Sequence, residues 1–69
     1  MQFTIEYEQE EDGRWLAEVL ELPGVLAYGQ TAQQAIARVE ALALRVLADR
    51  LEHGEAVATM MTLSFATAA

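Results

Sequence analysis

Between Thr31 and Gly54 the chain reads TAQQAIARVEALALRVLADRLEHG, a long unbroken helical pattern inside a sequence of only 69 residues. Thr31 is a favourable N-cap, and Gln34 three residues later completes a capping box. Gly54 supplies the stop, and Arg50 and His53 suit the negative end of the helix dipole. A helix from Ala32 to His53 would span about 33 Å at 1.5 Å per residue. Its first apolar stripe, Ala35, Ile36, Val39, Leu42, Ala43, Val46 and Leu47, has the spacing of a core face. A second stripe follows Ala37, Ala41, Leu44, Ala48 and Leu51. Only Gln34, Arg38, Arg45, Asp49 and Glu52 form a fully polar band. Alanine alone could reflect helix propensity, but Leu44 and Leu51 are not explained that way. Such a helix calls for packing on two sides.

The rest of the chain supplies a sheet for the first of them. Residues 2–10 alternate, with Phe3, Ile5 and Tyr7 on one face and Gln2, Thr4, Glu6, Glu8 and Glu10 on the other, which predicts a half-buried strand. Asp12-Gly13 is a hairpin signal, and residues 14–21 read as the second strand. A two-residue loop would set Tyr7 against Glu18 and bury a carboxylate, at a cost of several kcal/mol in rough terms. A loop of odd length pairs Tyr7 with Ala17 and Ile5 with Val19, and is the expected register. Leu22-Pro23-Gly24-Val25 reads as a tight turn, in which Pro presets φ and Gly allows φ > 0. Val25–Tyr28 is a short third strand, broken by Gly29. Residues 56–66 alternate again through Val57, Thr59, Met61, Leu63 and Phe65 and read as the fourth strand, with Ala66–Ala69 featureless.

The expected fold is α+β: one β-β-β-α-β domain over residues 1–69, a four-stranded sheet with one helix across one face. A right-handed crossover sets the last strand parallel to the third, most simply beside the first, giving the order 3-2-1-4.

A single domain of this size buries only about 60% of its unfolded surface, and the chain has no cysteine to staple it. Its composition is 54% hydrophobic. Homo-oligomerisation, a dimer at least, is the expected compensation. The candidate interface residues are Leu16 and Leu20 on the sheet, Leu44 and Leu51 on the helix, and Met61 on the last strand. The sheet with its last strand is the favoured interface, because an alternating apolar edge strand is a liability unless paired.

Net charge is −7, from 11 acids against four arginines. That excludes a direct nucleic-acid role, which needs a basic surface. A basic protein is the natural complement. The acids crowd the first hairpin, where Glu6, Glu8, Glu10 and Glu18 are the candidate partner-binding residues. Glu6, Glu8 and Glu10 could hold a hard cation through oxygen, but a solvated acidic face is the simpler reading, and no metal or cofactor is expected. His53 suits a cap rather than catalysis, Ser64 has no base nearby in sequence, and the glycines form no phosphate loop. The chain is therefore not expected to be an enzyme. No apolar run approaches the roughly 20 residues of a membrane span, and there is no signal peptide, so a cytoplasmic location is expected.

The ordered set Asp12-Gly13-Arg14-Trp15-Leu16-Ala17-Glu18-Val19, Glu21-Leu22-Pro23-Gly24, Gly29-Gln30-Thr31 and Gln34-Ala35 resembles the N-terminal domain of HicB-type antitoxins over about residues 3–55. Gln34 stands where that family often has Glu, and Leu20 where it often has Pro. The resemblance implies a β-β-β-α-β fold with a partial RNase H-like look. It also implies binding and neutralisation of a HicA-type toxin, a small basic ribonuclease that cuts messenger RNA. Many family members add a helix-turn-helix or ribbon-helix-helix domain that binds operator DNA; the sequence stops at Ala69, so operator binding is not implied. No set of catalytic acids maps onto this chain. The competing expectation is an orphan homo-oligomer, structural or regulatory, without a toxin partner.

Overall fold

The computed structural model of the chain describes residues 1–54 and 62–68. Its elements are β1 (Gln2–Gln9), β2 (Trp15–Val19), β3 (Leu26–Gly29), α1 (Ala32–Glu52) and β4 (Ser64–Ala68). The sheet runs β3-β2-β1-β4, with β1 antiparallel to β2, β2 antiparallel to β3, and β4 parallel to β1. The α+β class and the strand order agree with the expectation from the sequence pattern.

The β1–β2 register is the one that keeps the carboxylate out of the core: Tyr7 opposes Ala17 and Ile5 opposes Val19. The hairpin turns at Glu10–Gly13, where the Gly13 N–H donates to the Glu10 carbonyl at 3.0 Å and Gly13 takes φ 93°. The Asp12 carboxylate accepts from the Arg14 N–H at 3.0 Å and from Arg14 Nε at 2.7 Å. Those two donors hold the Asp12 carboxyl below its ordinary pKa, the backbone N–H contributing most.

β2 ends at Val19 rather than at residue 21. The chain turns there, with the Leu22 N–H reaching the Val19 carbonyl. The Leu20 N–H still donates to the Thr4 carbonyl at 3.0 Å, but the Thr4 N–H finds the Glu21 carboxylate, 2.7 Å away. That bond lowers the Glu21 pKa. A second turn follows, closed by the Val25 N–H on the Leu22 carbonyl, with Gly24 at φ 86° as a Pro-Gly turn requires. Leu22 and Val25, on either side of Pro23-Gly24, are both buried. The turn thus anchors itself in the core by its flanks.

Gly29 does not break β3. It is the last strand residue, its φ is not positive, and it is buried. A Cβ built there would lie 2.5 Å from the Ala35 backbone N, so glycine lets the first turn of the helix sit directly on the strand. Thr31 Oγ1 accepts from the Gln34 N–H at 3.0 Å as an N-cap should. Gln34 Oε1 returns to the Gln30 N–H at 2.6 Å, one residue before the cap, so the box is closed in a shifted form. At the far end His53 is the C-cap, and Gly54 takes φ 71°.

Within the described residues β4 starts after Thr62 and Leu63 and ends two residues beyond the predicted end at residue 66. It spans Ser64–Ala68, so Ala66–Ala68 are strand. Val57, Thr59 and Met61 lie outside the described residues. Parallel pairing with β1 sets the strand's place: Phe3 meets Phe65, their ring centroids 5.7 Å apart, and Ile5 meets Thr67. The core lies between the sheet and α1. It contains Phe3, Ile5, Ala17, Val19, Leu22, Val25, Ala35, Val39 and Ala43. Ile36, Leu42, Val46 and Leu47 pack against it, so all seven residues of the first helix stripe face the sheet.

Candidate functional site

Strand alternation sends every second side chain to the face away from α1. The registers lay these residues out as a grid. One row runs Leu26, Glu18, Glu6, Ala68, and the next runs Tyr28, Leu16, Glu8. Leu20 and Thr4 extend the grid beyond the end of β2. The face is therefore divided. On β3 and β2 it is largely apolar, and Leu20, Leu26 and Tyr28 are among the exposed large hydrophobic residues of the molecule. On β1 it is acidic, and along β4 it carries only Ser64, Ala66 and Ala68.

The three strand acids come together here. Glu6 stands directly opposite Glu18, and Glu8 opposite Leu16. Like charges directly across an antiparallel pair repel. Among the described residues Arg14 pairs with Asp12 and the His53 ring lies against Asp49, and no cation among them neutralises Glu6, Glu8 or Glu18. With Tyr7, Leu16 and Ala68 these acids line a depression of about 320 Å³. Glu10 is not on the strand: β1 ends at Gln9, and Glu10 opens the turn, its N–H bound to the Arg14 carbonyl. Among the described residues no three acidic, His or Cys side chains are grouped to hold a metal ion.

Arg14 marks one end of this face. Its guanidinium lies 4.4 Å from the centre of the Tyr28 ring, a cation–π contact, while its Nε holds Asp12. No local pattern assigns Arg14 this role; its place after Asp12-Gly13 is the only signal the sequence carries. A second arginine works behind the sheet. Arg38 Nη1 donates to the Tyr28 carbonyl at 2.9 Å, tying α1 to the outer edge of β3.

The remaining candidates lie elsewhere. Leu16 belongs to the open face and is half-buried; Leu20 is beside it and exposed. Leu44 is exposed on the outward side of α1, with Ala37 and Ala48, and Leu51 is half-buried near the helix end. Met61 lies outside the described residues. His53 caps the helix, its Nδ1 2.8 Å from the Asp49 carbonyl. Ser64 is exposed on β4. Among the described residues no helix is long and apolar enough to cross a membrane. No protein-family model, no curated protein and no solved structure matches this chain.

Proposed function

We propose that this chain is a HicB-like, partial RNase H-like binding module that neutralises a small basic ribonuclease of the HicA type by covering it with the open sheet face. The observation that carries this reading is the uncompensated acid pair Glu6–Glu18, with Glu8 beside it. An arginine or lysine from a partner would relieve the repulsion between them and complete their hydrogen bonding. Leu16, Leu20, Leu26 and Tyr28 would supply the apolar contact that slows dissociation, since buried aromatic and aliphatic anchors dominate interface energies. The acids would act mainly on encounter and on the choice of partner. In this reading the chain works by binding and carries out no chemistry of its own.

The test begins with the gene's neighbourhood, where a small basic open reading frame is expected, followed by co-purification of its product. Glu6→Lys combined with Glu8→Lys should then slow association by on the order of tenfold or more at low salt, and should flatten its salt dependence. The far-UV circular dichroism should stay unchanged. Binding that survives the double reversal at low salt would remove the acidic face from the contact. Failure to capture any basic partner would remove the antitoxin reading itself.

A further inference from the structure

We propose that two copies of this chain pair through the outer edge of β4, antiparallel and about a twofold axis at Ala66, to make one eight-stranded sheet. This inference is independent of the toxin reading and rests on how the two edges of the sheet differ.

The β3 edge is engaged at one of its outward groups. The Val19 N–H donates to the Val25 carbonyl, so in an antiparallel ladder Leu26 and Tyr28 turn their own backbone groups outward. The outward Tyr28 carbonyl is taken by Arg38. On β4 the Ser64 N–H donates to the Met1 carbonyl, which directs Ser64, Ala66 and Ala68 toward β1. The backbone N–H and C=O of Phe65 and Thr67 therefore face away from the sheet. Among the described residues no strand pairs with them. The strand sequence, SFATA, has no charge, proline or other device that normally blunts an edge.

Those four outward groups are self-complementary. With the axis at Ala66, Phe65 of one copy exchanges two ladder bonds with Thr67 of the other, and the reverse pair makes two more. Ala66 meets its own copy at the close, non-hydrogen-bonded position, where a small side chain fits.

Charge selects the edge over the open face as the place for a second copy. Stacking two open faces would put Glu6, Glu8 and Glu18 of each copy about 10 Å from the same acids of the other and bury them without a cation. In the edge pairing, two β4 strands separate one acidic β1 from the other by three strand spacings, about 14 Å. That exceeds the Debye length of about 8 Å at physiological ionic strength.

Sedimentation of the full chain should show a species of twice 7.6 kDa that dissociates on dilution. Thr67→Pro removes an outward N–H that the folded protomer does not use, a position where edge strands tolerate proline. It should leave a folded monomer. Ala66→Glu sets two carboxylates together on the axis and should do the same. Leu44→Glu, on the helix, should leave the dimer intact. Hydrogen exchange needs no variant: the Phe65 and Thr67 amides should be protected more strongly as wild-type concentration rises. A wild type that stays monomeric across micromolar to submillimolar concentration overturns the proposal. So does a dimer that survives either β4 substitution in a folded protein, or Phe65 and Thr67 exchange that is independent of concentration.

Discussion

Ile5 and Glu6 are consecutive residues of one strand, and their side chains live in different media. Ile5 is 0% exposed, opposite Val19 and beneath α1. Glu6 is exposed, opposite Glu18, with no cation beside it among the described residues. The same contrast repeats along β2, where Ala17 and Val19 are buried and Glu18 is not. On the covered face every contact is settled within the chain, and the residues are chosen for volume. On the open face repulsion is left standing and large apolar side chains are left in water. The covered face explains why the chain folds. Folding alone does not account for the open face, with its facing acids and exposed apolar side chains.

If this division is correct, substitutions on the two faces should differ in size and in sign. The largest effect belongs to Ile5→Ala, which empties a fully buried site and should cost about 2–5 kcal/mol. For a 69-residue domain, whose total stability is on the order of 3–10 kcal/mol, that is enough to unfold much of the population at 37 °C. Thermal denaturation checks it, and a loss below about 1 kcal/mol would mean the covered face is not the stabilising one.

Gly29→Ala comes next, at about 1–3 kcal/mol, because the new methyl group meets helix backbone rather than a side chain that can move aside. Chemical denaturation measures it. A neutral result would show that α1 can rise off β3.

Glu18→Lys should go the other way. It turns a facing pair of like charges into a facing pair of opposite charges, and should stabilise the free chain by about 0.2–1 kcal/mol while weakening partner binding. A destabilised variant would mean that Glu18 already has a favourable role in the free protein.

The smallest effect is the pH dependence of Glu21. Its folded pKa lies below the ordinary 4.5 because it accepts the Thr4 N–H. The stability it contributes is therefore present above that ordinary value and is lost as pH falls through the folded pKa. Glu21→Gln should make the melting temperature fall less steeply on acidification from about pH 5, the region of carboxylate titration. Parallel melting curves for wild type and variant would remove Glu21 from the acid response.

Much of the covered face was legible in the sequence, because period-2 and period-3.6 patterns record burial directly. The hairpin register followed from one energetic argument, that Glu18 could not share a core with Tyr7. The helix and its caps followed from Thr31, Gln34 and Gly54. The extent of β4 was not legible. The alternation predicts a strand that includes Thr62 and Leu63 and stops at residue 66, whereas the observed strand starts at Ser64, runs on to Ala68, is rich in alanine and is held by long-range pairing with β1; Val57 and Thr59 lie outside the described residues. Gly29 reads as a break because sequence does not distinguish a glycine needed for its φ from one needed for its missing Cβ. Gly24, at φ 86° with open space around it, is the first kind, and Gly29 is the second. On the open face the acids were legible as a group. The facing of Glu6 and Glu18, the cover of Arg14 on Tyr28 and the Arg38 bond to β3 depend on register and reach, which no local pattern carries.

The pairing of β4 with β1 also has a kinetic side. Gln2 meets Ser64 across 62 positions of chain, whereas Gln9 meets Trp15 across six. Closing the longer span costs about 2 kcal/mol more chain entropy than closing the hairpin. Contacts of such separation lower folding rates, and those of the hairpin and helix do not. The hairpin and α1 can therefore form a nucleus from near neighbours, while β4 waits for two segments 62 positions apart to meet. Before that happens β1 is itself an edge, with one whole side of its ladder unmatched and Phe3 without its ring partner. A newly made copy is thus most open to pairing with the wrong molecule in the interval between hairpin closure and the arrival of its own last strand.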